Sequence, residues 1–513
     1  MKDRATLSRV RSGDQDRPGE PAERRGTSGA DRRERRSLAD ARPAIESAGT
    51  VDVEVERLVQ GGVGLAFWKR FPLLVEGAAP QEKVRVEVVE SRPDYARVRV
   101  VEVLRAGADR VAAPCVYYAE CGGCDLQHIR RERQLPLKAQ AALETLHRIG
   151  KLRDLPEPRL VSGQSSAYRS RAQLHTERQE PEAPPSVESP ATPTEPADAT
   201  GSRPPKVGFR TRGGHEVVDV EHCLVLDETL QQALGEVRSA VRRRWEEVQR
   251  SHREGDTRQS VPQRIDLLAG DGGRWVAAPL LPALPRGDVE ISYRVGGRDY
   301  RLACDAHCFF QSNRGLAASL VEAALESIGP STAPGDRDGD RDAGADGGLQ
   351  LAWDLYAGVG LFTLPLSDRV RHVVAVEGDR AALRHLRRNV RRRAGRVEAV
   401  GRDVESFLRQ AVGAVRRGEQ QQPQLVVLDP PRSGVSKGAM RSLLHLTPPQ
   451  LRYVSCDPAT LARDLARLDR DYRVERLVFV DLFPHTSHLE CVAALRRREG
   501  GGEGGSDGAG ADG

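Results

Sequence analysis

The sequence contains no run approaching the roughly 20 apolar residues needed to cross a bilayer. Its first 49 residues are crowded with Arg, Asp, Glu and Gly and hold no apolar segment of the kind that marks a secretory signal. Membrane and export readings therefore fall away, and the expected location is the cytoplasm. A decisive charge of one sign is also missing. Lys and Arg number 79 against 74 Asp and Glu, which leaves +5, so net charge alone says little about a polyanionic partner. No repeat of solenoid period is present. The eight cysteines would meet a reducing compartment, where thiols serve as metal ligands or catalytic groups before they serve as disulfides.

At 513 residues the chain is long enough for two to four domains. Four stretches are too polar or too rich in Gly and Pro to offset their ordering entropy and are expected to be disordered: Met1 to Gly49, Glu180 to Pro205, Pro330 to Gly348, and Gly500 to Gly513. The second lies between strand-like runs Arg169–His175 and Lys206–Arg212 and has the form of an expanded hairpin loop. Valines at 51, 53 and 55, at 84, 86 and 88, and at 98 and 100 alternate with charged residues, the period of half-buried antiparallel strands. Several such strands within 50–105 fit an OB-type barrel that binds nucleic acid, or equally a plain β-sandwich. From Leu351 onward the pattern becomes apolar strand, loop, helix, repeated. Leu351–Tyr356, His372–Glu377, Gln424–Leu428, Leu451–Ser455 and Leu477–Val480 are the apolar runs, and stretches such as Arg380–Arg393 are helical. This rhythm predicts a doubly wound parallel sheet over 349–498, with ligands bound at the carboxyl ends of its strands. Residues 106–329 are expected to form a central α+β domain interrupted by 180–205, with 330–348 as a linker and 499–513 as a tail.

Asp354-Leu355-Tyr356-Ala357-Gly358-Val359-Gly360 closes the first of these runs, and its glycines allow a nucleotide-like ligand close to the backbone. Glu377 stands 19 residues past Gly358 at the end of the next run, near the spacing of a carboxylate that binds ribose hydroxyls. The third glycine of the dinucleotide fingerprint is absent. The pattern therefore fits a nucleoside ligand such as S-adenosyl-L-methionine better than NAD. Asp403, after the following strand, is placed to meet an adenine amino group.

Three further segments carry a resemblance. Leu428-Asp429-Pro430-Pro431-Arg432-Ser433-Gly434, Tyr453-Val454-Ser455-Cys456-Asp457-Pro458-Ala459-Thr460-Leu461-Ala462-Arg463-Asp464 and Phe483-Pro484-His485-Thr486-Ser487-His488-Leu489-Glu490 resemble, in order and spacing, the RNA uracil-5 methyltransferase family. The likeness runs with gaps from about Val51 to Leu495. It implies an N-terminal OB-type barrel of the TRAM kind, a central iron–sulfur domain and a C-terminal Rossmann-like class I methyltransferase domain. Cys115, Cys121 and Cys124, in Cys-Gly-Gly-Cys-Asp-Leu-Gln-His context, resemble the family's iron–sulfur motif, with Cys223 as fourth ligand. Phe309-Phe310-Gln311-Ser312-Asn313 resembles the segment that supplies a cofactor-contacting glutamine, here Gln311. The resemblance places Tyr356, Glu377, Asp403 and Asp429 in the cofactor pocket with Gly358 and Gly360. It implies structured RNA as partner, ribosomal before transfer RNA, and no obligate protein partner. Two residues depart from the pattern: Asp457 stands where Asn is usual, and Leu361 where some members carry a polar residue.

The implied chemistry explains the residue types. Uracil C5 is too weak a nucleophile to attack a methyl sulfonium unaided, and a thiolate added at C6 turns the ring into an enolate that can. After transfer a base must take the C5 proton so that the thiolate can leave. Cys456 is the expected nucleophile and Glu490 the expected base. Alternatives stand beside these assignments. Four thiolates suit Zn²⁺ as well as a 4Fe-4S cluster, towards which the resemblance points. His485, His488 and Glu490 are a possible zinc set, although the spacing is not HExxH. Asp429-Pro430-Pro431 resembles the motif of amino-directed methyltransferases, but Arg432 replaces the aromatic on which those enzymes stack the base. A non-catalytic RNA-binding protein on the same fold would not need Cys456, Glu490 and the glycine motif, which are all present. Cys304, Cys308 and Cys491 lack any such context and are expected to be buried, inert thiols.

Overall fold

The computed structural model describes residues 45–47, 49–178, 203–253, 260–279, 281–328 and 348–498. Most of the four stretches expected to be disordered lies outside these residues. Strands β1 (Thr50–Val59), β2 (Val63–Trp68), β3 (Phe71–Glu76), β4 (Lys83–Ser91) and β5 (Ala96–Arg105) close into a barrel in the order β1-β2-β3-β5-β4. The alternating valines do what their period predicts: Val53, Val55, Val84, Val86 and Val98 point into the barrel core with Phe71, Leu73 and Val75. The sandwich alternative is thereby excluded. Ile45 is fully buried in the same core, which corrects the expectation of disorder up to Gly49. One isoleucine gains enough from burial, roughly 1.5–3 kcal/mol, to hold the short approach to β1 in place.

After β6 (Arg159–Val161), strands β7 (Arg171–Thr176), β8 (Val207–Arg210), β9 (Val217–Asp219), β10 (Arg264–Ala269) and β11 (Trp275–Ala278) form a sheet ordered β11-β10-β7-β8-β9. The expected hairpin is the β7–β8 pair, antiparallel at His175–Gly208 and Thr176–Val207. One face of this sheet packs against helix Glu228–Arg253 through Leu230, Leu234, Val237 and Val241.

The remaining strands are β12 (Val289–Val295) and β13 (Arg298–Cys304), an antiparallel hairpin, followed by β14 (Leu351–Leu355), β15 (His372–Glu377), β16 (Val397–Gly401), β17 (Leu425–Leu428), β18 (Gln450–Ser455), β19 (Tyr472–Val480) and β20 (Glu490–Arg497). They build an eight-stranded sheet ordered β16-β15-β14-β17-β18-β20-β19-β6, with β12 and β13 outside it. From β16 to β18 all neighbours are parallel, as the sequence predicts. The purely parallel expectation fails at β20, which runs antiparallel to both β18 and β19. Only Asp481 to Leu489 separates β19 from β20, too short for the dozen or so residues of a parallel crossover, so the chain returns as a hairpin.

One face of this sheet buries the β12–β13 hairpin and helices Arg314–Leu325 and Arg380–Asn389. The other buries Val404–Arg416, Lys437–Leu446, Pro458–Leu468 and Arg131–Gly150. Packing thus cuts across the central segment 106–329, because β6, helix Arg131–Gly150, the hairpin and helix Arg314–Leu325 all join the C-terminal sheet. Among the described residues no helix is long and apolar enough to cross a membrane.

Candidate active site

Helices follow β15, β16 and β18 closely because an Asp two residues past each strand caps the next helix, and Ser436 caps the one that follows β17. Asp379 accepts from Ala382 N–H, Asp403 from Ser406, Ser436 from Ala439 and Asp457 from Thr460. Asp457 is therefore the N-cap of Pro458–Leu468, a task that Asp and Asn perform equally well, and the departure at this position costs the fold nothing. The caps turn the chain sharply and leave the loop residues lining the carboxyl edge of the sheet.

At that edge the register brings together two residues 34 apart in sequence. Ser455 of β18 pairs with Cys491 of β20, so Cys456 and Glu490 flank the same rung. Glu490 is buried, and burial, reinforced by the charge of Asp429 and opposed by Arg432, pushes its carboxyl up to about 8. Burial and then the Glu490 charge push the half-buried Cys456 thiol up to about 11, while Arg432 pulls it down. Asp429, just beyond β17, is raised to about 7 by burial and by Asp354. A group of acids thus shares one edge, with Arg432 as the cation that favours its ionised forms.

The glycine loop follows β14. Gly358 has φ +56° and Gly360 φ +102°, and a Cβ at Gly360 would press on Leu386 at 3.1 Å, so only glycine fits there without strain. Tyr356 adopts φ +65° and is half-buried. Glu377 accepts the Gly358 N–H at 2.8 Å and the Asp379 N–H at 2.6 Å, which fixes its carboxylate against the loop while each oxygen keeps a free lone pair. Asp403 uses one oxygen for its cap and is otherwise exposed. Asn389 donates to the carbonyls of both Ala303 and Val359, tying the strand that leads towards Gln311 to the glycine loop. Gln311 is buried with an Oε1 that has no partner, and Asp354 likewise has an unpartnered Oδ1 beside the oxygen that accepts from Thr363. Orphaned buried oxygens, one of them on the Asp354 that opens the glycine motif, are what a polar ligand such as S-adenosylmethionine would satisfy, so the residues fit it.

Cys115, Cys121, Cys124 and Cys223 line a single recess together with Tyr117, Gln127 and Arg169. None forms a disulfide. Burial raises the thiols of Cys124, to about 12, and of Cys121 and Cys223. Four thiols around one recess make a donor set that a bound metal would deprotonate. Among the described residues neither these thiols nor the donors of His485, His488 and Glu490 converge within 4.8 Å as a set, whereas those of Asp305, Cys308 and His385 do. There Asp305 already accepts from two backbone N–H groups, Arg384 and His385, so its lone pairs are spent within the protein. Cys304, Cys308 and Cys491 are buried, as expected.

The chain is 32% identical over 475 residues to the 23S rRNA (uracil(1939)-C(5))-methyltransferase RlmD of Chromohalobacter salexigens, spanning 87% of this chain and 89% of that protein. The chain belongs to the RNA uracil-5 methyltransferase family. As a member it is an S-adenosylmethionine-dependent RNA methyltransferase. A Vibrio cholerae protein of the same name is 31% identical over 87% of this chain and 96% of its own length. The family model described as tRNA (Uracil-5-)-methyltransferase matches residues 283–498, from just before β12 to the end of the sheet. The fold is like that of Pyrococcus abyssi tRNA (uracil-54, C5)-methyltransferase, solved with S-adenosyl-L-homocysteine, at TM-score 0.57 and 22% identity over 87% of this chain and all of that one.

Within this family member the structure adds residues that the sequence did not single out. Asp354 is wholly buried and raised to about 7. Its only signal was its place beside the glycine motif. Arg432 is the cation facing both Cys456 and Glu490, where the sequence marked it only as a missing aromatic. Leu361, the second departure, is a core residue whose carbonyl accepts the Tyr293 hydroxyl at 2.8 Å.

Proposed function

We propose that this protein methylates C5 of a uridine in structured RNA, with Cys456 as nucleophile and Glu490 as general base. The observation that carries the reading is the β18–β20 register, which sets a thiol and a buried carboxylate on one rung at the ligand-binding edge of the sheet. S-adenosylmethionine, when bound, supplies the methyl group. The Cys456 thiolate forms a bond to C6 and moves the C5–C6 π electrons into the ring carbonyl, so that C5 becomes nucleophilic. Once C5 is methylated, the Glu490 carboxylate takes its proton. The C–H electron pair restores the C5–C6 double bond and expels the thiolate, so the enzyme regains Cys456 and later sheds the proton from Glu490 to water. A base raised to about 8 is a stronger proton acceptor than an ordinary carboxylate. Arg432, facing both groups, steadies the thiolate as it forms.

Gln311, Tyr356, Gly358, Gly360, Glu377, Asp403 and Asp429 would hold the cofactor. Glu377 takes the ribose hydroxyls and Asp403 its adenine amino group. Cys115, Cys121, Cys124 and Cys223 would bind a 4Fe-4S cluster that shapes the segment for RNA, since methyl transfer moves no net electrons. The barrel, as a TRAM domain, grips RNA phosphates in the cytoplasm. Ribosomal RNA is the favoured substrate because the Chromohalobacter salexigens and Vibrio cholerae relatives are both named for 23S rRNA. Mapping 5-methyluridine in cells lacking the protein tests this: loss from ribosomal RNA is expected, loss confined to transfer RNA would transfer the assignment there, and no loss from either would reject it.

A further inference from the structure

The loop Asp481–Leu489 delivers Glu490 to the edge of the sheet, yet the groups that fix it come from more than 300 residues away. Lys138, within helix Arg131–Gly150, has a side chain only 3% exposed. Its ammonium spends all three donors on this loop. It lies 2.7 Å from the Asp481 carboxylate, 3.0 Å from the Phe483 carbonyl and 3.0 Å from the His488 carbonyl. One cation thus staples the entry of the loop to its exit, two residues before Glu490. Burial lowers its proton affinity and Asp481 offsets only part of that loss, and a cation held at that cost is tolerated only where its partners are fixed.

The crest of the loop is held from a second direction. The N–H groups of Asp125 and Leu126 both donate to the His485 carbonyl at 2.9 Å. The Asp125 carboxylate accepts the Ser487 N–H at 3.1 Å and its hydroxyl at 2.9 Å. Gln134 accepts the His485 N–H at 2.9 Å. His485 itself has φ +67°, a strained conformation for a side-chain-bearing residue that persists only when its surroundings over-determine it.

We propose that Lys138 and Asp125 are positioning residues for Glu490, clamping the Asp481–Leu489 loop so that the base meets the C5 proton. The inference rests on the assignment of Glu490 as base. Cys456 is carried by β18 and by the Asp457 cap, and neither clamp residue bonds to those elements. Loosening the loop therefore leaves formation of the C6 adduct intact and slows its resolution, because a base displaced by about 1 Å loses on the order of tenfold or more in rate.

The test is a rapid-quench experiment with methyl-labelled cofactor and unmodified substrate RNA on full-length wild type, Lys138→Met, Asp125→Ala and Glu490→Gln. Both clamp variants should form labelled protein–RNA adduct within about twofold of the wild-type rate and resolve it at least about tenfold more slowly. If Lys138→Met does not fold, the part-exposed Asp125→Ala decides alone. Adduct build-up in Glu490→Gln with wild-type resolution in folded clamp variants would overturn this inference and leave the base assignment standing. Formation and resolution slowed equally would overturn it too, since that marks a general structural defect. No build-up in Glu490→Gln would overturn the base assignment and this inference with it.

Discussion

The raised carboxyl of Glu490 makes proton removal sensitive to pH in a range where ordinary carboxylates are silent. Only the ionised form can accept the C5 proton. Burial and Asp429 set its value at about 8, so it loses activity as pH falls below 8 and not below 4.5. Each unit below 8 lowers the ionised fraction about tenfold, and at pH 6 only about one enzyme in a hundred carries a competent base. The perturbation is therefore pH alone, from 6 to 9. Two quantities are followed in single turnover on RNA tritiated at C5: methyl incorporation, which precedes Glu490, and tritium release, which requires it. The ratio of release to incorporation should rise with a slope near one in log units and level off at about pH 8. Arg432→Ala, by removing the cation that favours the charged forms of both Glu490 and Cys456, should move that plateau to higher pH. A ratio constant from pH 6 to 9 would refute the reasoning, because it would mean that the proton leaves without a group titrating in this range.

Anaerobically purified protein should be brown with about four iron atoms per chain, bound through Cys115, Cys121, Cys124 and Cys223; colourless protein with one zinc would contradict the cluster. The β2–β3 turn exposes Phe67, Lys69 and Arg70, with Lys69 over the Trp68 ring at 4.3 Å. Reversing both charges should weaken RNA binding and lower the slope of log affinity against log salt by about one to two, whereas an unchanged slope would place the phosphates elsewhere. Gly434 has φ +76°, and a Cβ there would strike Thr460, Arg463 and the buried Asp464, which accepts Val435 N–H at 2.9 Å and Tyr453 OH at 2.7 Å. Gly434→Ala should cost about 3 kcal/mol or more in denaturant unfolding, and a loss below about 1 kcal/mol would show that the loop relaxes around it.

The parallel strands were legible because each is a short apolar run ended by a capping or loop-forming residue. His372–Glu377 is a strand over the very residues whose composition marked it. What failed was non-local. Nothing in the three residues of β6 announces a partner at Val478–Val480. The antiparallel return of β20 depends on loop length and not on any pattern within the strand. The site shows the same division. Glycine motif, Cys456 and Glu490 carry their own signatures, but Arg432 acquires meaning only from what faces it. Lys138 looks like any lysine of an amphipathic helix, because its partner Asp481 is 343 residues away. Burial separates it from a solvated neighbour, and burial is written in the tertiary packing.

The central claim, that a thiol at position 456 attacks the pyrimidine ring, is tested most directly by trapping. RNA carrying 5-fluorouridine is incubated with methyl-labelled S-adenosylmethionine and either wild type or Cys456→Ala, then run on a denaturing gel. A C5–F bond blocks elimination, so the wild-type protein should carry label in a band of protein plus RNA, and Cys456→Ala should show none while still binding both ligands. Label in that band for Cys456→Ala, or methylation of ordinary uridine by it at near wild-type rate, would contradict the claim.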